Sequence, residues 1–352
     1  MKAEPQKKET PGMSNLLNRT GRELYRARVW LFHGILYTLI FLVSAGCGTS
    51  GKKSGKLTLA VIPMGTTHEF WKSIHAGALQ ASRELGVSIV WKGPLKEDDR
   101  EEQIQIVETF ISAGVDALIL SPLDDRALAQ PVREAKNLGI PTIIFNSALQ
   151  GNYHESFVAT DNYRGGVVGA DYLGTLMKGK GTLILLRVSE GSEGSTQREE
   201  GFLDTIKTNY PGIEILSDNQ YGGITTESAY RTCETLLNRF GAVDAIFTPN
   251  ESTTFGCLRA LQDRGLAGKI LFVGFDSSEK LIEALEKREI LGLVLQNPYR
   301  MGCLSVQIAV SCLRKQPFER HVDTGVSLAT PENMNDPEIK KLLSPDLSIL
   351  GE

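Results

Sequence analysis

Cysteine and histidine are scarce in this chain, with five of each among 352 residues. No C-x-x-C pair and no H-E-x-x-H occurs, so the common zinc frameworks are missing and no metal is expected. No serine sits in G-x-S-x-G, which removes the nucleophile turn of the α/β hydrolases. Gly165-Gly166 with Gly169 lacks the G-x-G-x-x-G spacing of a phosphate loop. It lies where a helix begins, so close packing is its reading and no cofactor is implied. An excess of positive charge is lacking as well. The formal net charge is −4, and basic residues gather near the N-terminus, which leaves the rest more acidic still. Such a body is a poor nucleic-acid binder. What is present is 41% apolar and 23% charged residues, enough for packed cores in two domains of ordinary size.

Cys233, Cys257, Cys303 and Cys312 fall inside apolar helical patterns and read as buried thiols. Cys47 differs because of what precedes it. Val29 to Gly46 holds no Asp, Glu, Lys or Arg, and Arg19, Arg22, Arg26 and Arg28 stand before it. Positive charge ahead of an apolar run keeps the N-terminus in the cytoplasm. The run ends Ser44-Ala45-Gly46-Cys47, which resembles the lipobox of bacterial lipoproteins, with Ser44 where that motif commonly carries Leu. Met13 offers a second start. The resemblance implies a signal segment over 1–46, cleavage before Cys47 and lipidation of Cys47. Several acyl chains make a stable anchor, each buried methylene contributing about 0.8 kcal/mol. An uncleaved span is the alternative, and both readings put the body outside the cytoplasmic membrane. Residues 47–55 then form a polar tether.

From Leu57 onward, short apolar runs alternate with amphipathic stretches. Leu57–Pro63, Val87–Trp91, Asp116–Ser121 and Pro141–Asn146 read as strands. Phe70–Leu85, Ile104–Ala113 and Leu128–Leu138 read as helices between them. Gly86, Gly114 and Gly139 each end a helix and are followed at once by a β-branched residue, the pattern of a left-handed cap turning into a buried strand. The rhythm resumes after Asp161. Thr182–Val188, Ile213–Leu216, Asp244–Thr248, Lys269–Asp276 and Leu291–Leu295 read as strands, with helices between them and a last one over Tyr299–Leu313. This is a series of βαβ units with more strands than one sheet holds comfortably. The expected fold is α/β, with two doubly wound parallel-sheet lobes.

Ligands in open α/β sheets sit at the carboxyl ends of the strands. Those ends carry Thr66 through Trp71, Asn146-Ser147, a Gly- and Ser-rich loop leading to Gln197-Arg198, Pro249-Asn250-Glu251, Phe275-Asp276 and Gln296-Asn297. Amides, one arginine, one aspartate and two adjacent aromatics suit a polyol. Rings cover apolar C–H faces, while groups of fixed geometry satisfy hydroxyls that both donate and accept. Paired acids such as Asp98-Asp99 and Asp124-Asp125 flank helix starts, where negative charge favours the dipole, and are not expected to do acid–base work.

At these residues the chain resembles the ribose-binding protein family of periplasmic sugar receptors. The resemblance runs from Lys56 to about Val326. It is carried by Pro63–Ala78, Ala159–Gly166, Ser195–Phe202, Phe247–Leu261, Val273–Asp276 and Leu295–Gly302, in order. It implies a type I periplasmic binding protein fold, with two lobes joined by a three-strand hinge. The first lobe would hold 56–159 plus about 297–324, and the second 160–296 plus about 325–345. It also implies the site residues. Phe70 and Trp71 match an aromatic pair that sandwiches the sugar, and His68 matches a polar contact. Arg198, Asn250 and Asp276 match hydroxyl ligands of the second lobe. Phe275 matches a pocket aromatic and Gln296 a ligand at the hinge. Asn146 and Ser147 stand where ribose binders have an Asp-Arg pair, and Ile224 where they have another aromatic. Glu251 matches no ligand position.

The function implied is a lipid-anchored, monomeric sugar receptor that hands its ligand to an ABC permease, without catalysis or cofactor. One alternative is a sensor that presents the sugar to a membrane receptor. Another is a LacI-type effector domain, which would need a helix-turn-helix where the apolar run stands. A glycosidase would need two carboxylates opposed across the cleft, and only Asp276, with Glu69 or Glu251 at a distance, is on offer.

Overall fold

Strands form here because β-branched and aliphatic residues run without a polar break, so that both faces are buried. In β1 (Thr58–Ile62), Leu59 and Val61 enter one apolar layer while Ala60 and Ile62 enter the layer on the other face. In β6 (Lys180–Arg187), Leu183 and Leu185 face one layer, Ile184 and Leu186 the other. Alternate residues point to opposite sides of a pleated strand, so a continuous apolar run marks a sheet covered on both faces.

The computed structural model describes Met1, Ala3 and residues 55–351. The apolar run and Cys47 lie outside the described residues. The body from Lys56 onward is a unit of its own. Among the described residues no helix is long and apolar enough to cross a membrane.

The body has two six-stranded sheets. The first contains β1, β2 (Ser88–Trp91), β3 (Ala117–Leu120), β4 (Thr142–Phe145), β5 (Ser156–Ala159) and β11 (His321–Asp323), in the order β2-β1-β3-β4-β5-β11. Its helices are α1 (Glu69–Leu85), α2 (Arg100–Ala113), α3 (Ala129–Asn137) and α9 (Pro298–Leu313). The second contains β6, β7 (Gly212–Tyr221), β8 (Ala245–Phe247), β9 (Leu271–Phe275), β10 (Gly292–Leu295) and β12 (Ser327–Ala329), in the order β7-β6-β8-β9-β10-β12. Its helices are α4 (Asn162–Leu176), α5 (Glu193–Asn209), α6 (Thr226–Phe240), α7 (Glu251–Asp263), α8 (Glu279–Glu286) and α10 (Pro337–Leu343). Every strand pair is parallel except β10 with β12. The two lobes thus repeat one strand order, a symmetry that no sequence repeat announces.

The chain passes between the sheets at Thr160-Asp161, at Gln296-Asn297 and at 324–326. The first and third passes are bonded to each other. Thr160 Oγ1 and Thr324 Oγ1 are 3.1 Å apart, and the Asp161 N–H donates to Asp323 Oδ1 at 3.1 Å. After α10, which packs on β12 of the second sheet, the chain returns to the first lobe. The short turn Ser348–Leu350 lies on α1, and Arg83 Nη2 donates to the Ile349 carbonyl at 3.3 Å.

Several elements depart from the sequence reading. β5, β11, β12 and α10 do not stand out in the sequence, and β11 (His321-Val322-Asp323) and β12 (Ser327-Leu328-Ala329) lack an apolar run altogether. β7 extends to ten residues, well past the expected Ile213–Leu216. α5 begins at Glu193, inside the stretch read as a Gly/Ser loop. The reading of four buried thiols is also corrected. Cys233 of α6 and Cys257 of α7 are joined as a disulfide, with Cα atoms 5.4 Å apart, because the two helices pack side by side. Cys303 and Cys312 are free and only half-buried.

Candidate functional site

The carboxyl ends of both sheets open onto one cleft of about 660 Å3 between the lobes. Two strand ends in it share an unusual backbone. Asn146 follows β4 at φ 63°, and Asp276 follows β9, its counterpart in the repeated order, at φ 66°. Asn and Asp are the non-glycine residues that best tolerate this left-handed region. In both lobes the turn aims the side chain into the cleft instead of back along the sheet.

The second lobe supplies a charged pair. Arg198 lies on α5, which approaches α4 closely because residue 166 has no side chain. A Cβ on Gly166 would fall 2.0 Å from the Arg198 carbonyl oxygen. Gly165 and Gly169 likewise let the Phe275 and Phe247 rings close on α4, so the glycine cluster noted in the sequence serves packing. The Arg198 guanidinium is 5% exposed. Its Nε donates to Asn162 Oδ1 at 2.8 Å and its Nη1 to the Pro249 carbonyl at 2.9 Å. Nη1 is also 3.9 Å from Asp276 Oδ2, and the Phe275 ring lies beneath it, 4.1 Å from centroid to guanidinium carbon. Asp276 accepts from Gln296 Nε2 at 2.8 Å and from the Glu251 N–H at 3.2 Å. Burial pushes the Asp276 carboxyl above its ordinary range, while Arg198 and these two donors oppose the shift. Gln296 is 4% exposed, and its Oε1 is buried without a hydrogen-bond partner among the described residues.

The first lobe supplies a second network. Glu97, in the loop after β2, accepts from Trp71 Nε1 at 2.6 Å and pairs with His68 Nδ1 at 2.8 Å through the same oxygen, Oε1. Burial works to lower the His68 pKa. The Glu97 hydrogen bond and the charges of Glu97, Glu251 and Asp276 outweigh it and hold the imidazole at about 9, so it is cationic at neutral pH. Burial raises the Glu251 carboxyl to about 7, against the pull of His68.

His68, Phe70, Trp71, Asn146, Ser147, Arg198, Asn250, Asp276 and Gln296 all line the cleft. Phe275 does not. It is fully buried and acts as the floor under Arg198, which corrects the expectation of a pocket aromatic. The aromatic pair is corrected too. Phe70 and Trp71 meet edge to face, with centroids 5.0 Å apart and planes at 82°, so they form one wall and cannot enclose a ring between them. Trp71 is only 2% exposed. Asn250 lines the cleft, but its Oδ1 caps α7 by accepting from the Thr253 N–H at 3.0 Å. Glu97 was not anticipated as a site residue, and Glu251, named among the strand-end residues, was given no ligand role. Glu97 follows a strand end whose loop went unread, and nothing in the local pattern of Glu251 sets it apart from a helix-start acid. Among the described residues no group of three or more His, Cys, Asp or Glu could hold a metal ion.

Two α/β lobes with a buried polar cleft at the carboxyl ends of both sheets define a two-lobed ligand receptor. The sequence profile of the periplasmic binding protein domain matches residues 59–317, and the chain belongs to that family, in its ribose-binding type. The ribose import binding protein of Bacillus subtilis (strain 168) is 25% identical over 289 residues, 80% of this chain and 89% of the relative. A xylitol-binding protein of Mycolicibacterium smegmatis is 27% identical over 212 residues, 60% of this chain and 59% of the relative. A carbohydrate transporter solute-binding protein of Agrobacterium radiobacter, solved with D-arabinose, superposes with TM-score 0.80 at 31% identity, covering 83% of this chain and all of that one. A solute-binding protein of Agrobacterium vitis, solved with D-fucose, gives TM-score 0.79 at 30% identity, covering 82% of this chain and all of that one. The family consists of substrate-binding proteins for transport, not enzymes, and it works outside the cytoplasm.

Proposed function

We propose that this chain binds a neutral monosaccharide or small polyol between its lobes and delivers it to an ABC-type membrane permease. The observation that carries the reading is at the hinge. Gln296 presents a buried, unpartnered oxygen beside the Arg198–Asp276 pair. A sugar hydroxyl donates to one and accepts from another of these groups, which is the two-way partner such a set requires. Charge favours a neutral ligand. Arg198 is matched by Asp276 and His68 by Glu97, Glu251 is partly ionised at neutral pH, and the acids Asp98, Asp99, Glu101, Asp124 and Glu190 of the lining outnumber Lys96 and Arg100, so a ligand carboxylate or phosphate would meet net repulsion. The arabinose, fucose, ribose and xylitol named for relatives support a small polyol. Asn146 and Ser147 set this site apart from the ribose binders. The receptor is a monomer whose lobes comprise 56–159 plus about 297–324 and 160–296 plus about 325–345, and a ligand touching both favours their closure. The body is held at the membrane through lipidated Cys47.

Calorimetry over pentoses, hexoses, deoxy sugars and polyols tests the ligand class, with matched uronic acids and sugar phosphates as controls. At least one neutral compound should bind with a micromolar or tighter Kd and be recovered unchanged. Binding confined to the acidic sugars would refute the proposal. For the anchor, mass spectrometry of membrane-extracted protein should find an N-terminal Cys47 bearing acyl chains. Intact Val29–Gly46 in that material would rule out the lipoprotein reading.

A further inference from the structure

Most of the helices around the cleft cap themselves. Asp99, Asp161, Thr225, Asn250 and Asn297 each accept from a backbone N–H in the first turn of the helix they precede. The helix α5, with Ser192 at its N-cap, does not, and neither do α1 and α8, whose first turns face a carboxylate of the other lobe. The N-cap of α1 is His68 and that of α8 is Ser278, and neither side chain makes a capping bond. The first N–H groups of a helix have no partner within it and need one elsewhere. In both cases the partner is a carboxylate of the opposite lobe. Phe70, in the first turn of α1, donates its N–H to Glu251 Oε2 at 3.4 Å. The first N–H of α8, that of Glu279, faces the carboxylate of Glu69 and pulls its pKa down against burial. Glu69 and Glu251 are themselves the first residues of α1 and α7, so the arrangement is reciprocal: each lobe gives one acid and receives one.

We propose that Glu69 and Glu251 form a cross-lobe latch of two exchanged helix caps, and that they are positioning residues which set how often the sugar-free receptor is closed. Opening the lobes strips both caps at once, so the latch strength enters the open–closed equilibrium directly. Apparent sugar affinity falls with the closed fraction. Glu251 is the stronger half. It is the less exposed of the two, it faces cationic His68, and its own N–H is bonded to Asp276, which ties the latch to the ligand groups. Glu69 faces Lys72 and Glu279, keeps much of its surface in solvent, and borders a separate cavity of about 420 Å3 beside the hinge. That position makes Glu69 the cleaner probe, because it does not line the cleft.

The test uses the full chain in detergent, with donor and acceptor dyes at exposed Leu138 and Lys207, one in each lobe, read by single-molecule energy transfer without sugar. This measurement does not depend on the ligand reading, so it can fail or succeed independently of it. Glu69→Ala and Glu251→Ala should each reduce the closed-to-open ratio by about fivefold, the effect of losing one typical cap. Glu69→Gln and Glu251→Gln keep a carbonyl acceptor and should restore most of it. Unchanged distance distributions in both folded alanine variants would overturn the proposal. So would glutamine variants as open as the alanine ones, since charge and not capping would then be responsible.

Discussion

Replacing Asp276 with alanine removes the acceptor for two donors, Gln296 Nε2 at 2.8 Å and the Glu251 N–H at 3.2 Å, together with the counter-charge 3.9 Å from Arg198 Nη1. Deleting a buried carboxylate also brings relief, because burial disfavours its charge. The fate of Arg198 decides the sign. It is 5% exposed and its other partners, Asn162 Oδ1 and the Pro249 carbonyl, are neutral. An arginine left in a dry site without its counter-charge costs about 3–5 kcal/mol. The backbone adds about 1 kcal/mol, since position 276 sits at φ 66°, which alanine tolerates less well than aspartate. A net loss of about 3 kcal/mol, after the relief, lowers Tm by roughly 5 °C for a body of this size. Asp276→Asn keeps the left-handed preference and one acceptor oxygen, so it should lose only about 1 kcal/mol. Both variants lose the charged hydroxyl acceptor, and their sugar Kd should rise at least about tenfold. Guanidinium unfolding followed by circular dichroism gives the first number and calorimetry the second. A loss under about 1 kcal/mol for alanine, or unweakened sugar binding by the folded asparagine variant, would refute the reasoning.

The remaining predictions concern pH, packing and redox state. His68 is held at about 9 against 6.5, so its protonated form stabilises the fold fully below about pH 6.5, and that contribution is lost as pH rises toward 9. Glu251, raised from 4.5 to about 7, acts in the same direction, its contribution fading between those values as pH climbs. His68→Gln should therefore flatten the stability profile by about 3 kcal/mol between pH 6.5 and 9, measured by urea unfolding at a series of pH values. Trp71→Ala empties a core position and strips one donor from Glu97, so it should cost about 3–5 kcal/mol of stability, and a binding defect at unchanged stability would contradict its placement. Gly166→Ala would drive a methyl into the Arg198 backbone, and calorimetry should find sugar binding lost together with a lowered Tm. Reducing Cys233–Cys257 releases a loop of 24-residue separation, and thermal melts with and without reductant should differ by an amount equivalent to about 3 kcal/mol.

Local pattern was sufficient for the body of the fold. Apolar runs buried on both faces, amphipathic stretches between them and glycines at helix ends need only neighbours in sequence to be recognised, and the strand-end rule then named His68, Asn146, Arg198, Asp276 and Gln296 as cleft residues. β11, whose three residues are His321-Val322-Asp323, carries no apolar run to read and is a strand because the edge at β5 is there to receive it. What tertiary structure alone decided is every relation between distant segments. Phe275 became a floor because Arg198 lies over it, Trp71 became core because Glu97 reached its indole N–H, and two cysteines became a disulfide because α6 packs on α7. Glu69 and Glu251 stand in sequence among the strand-end residues, with no ligand role assigned to either. Their partners are backbone groups across the cleft, and a backbone N–H leaves no mark in the residue pattern of the segment that receives it.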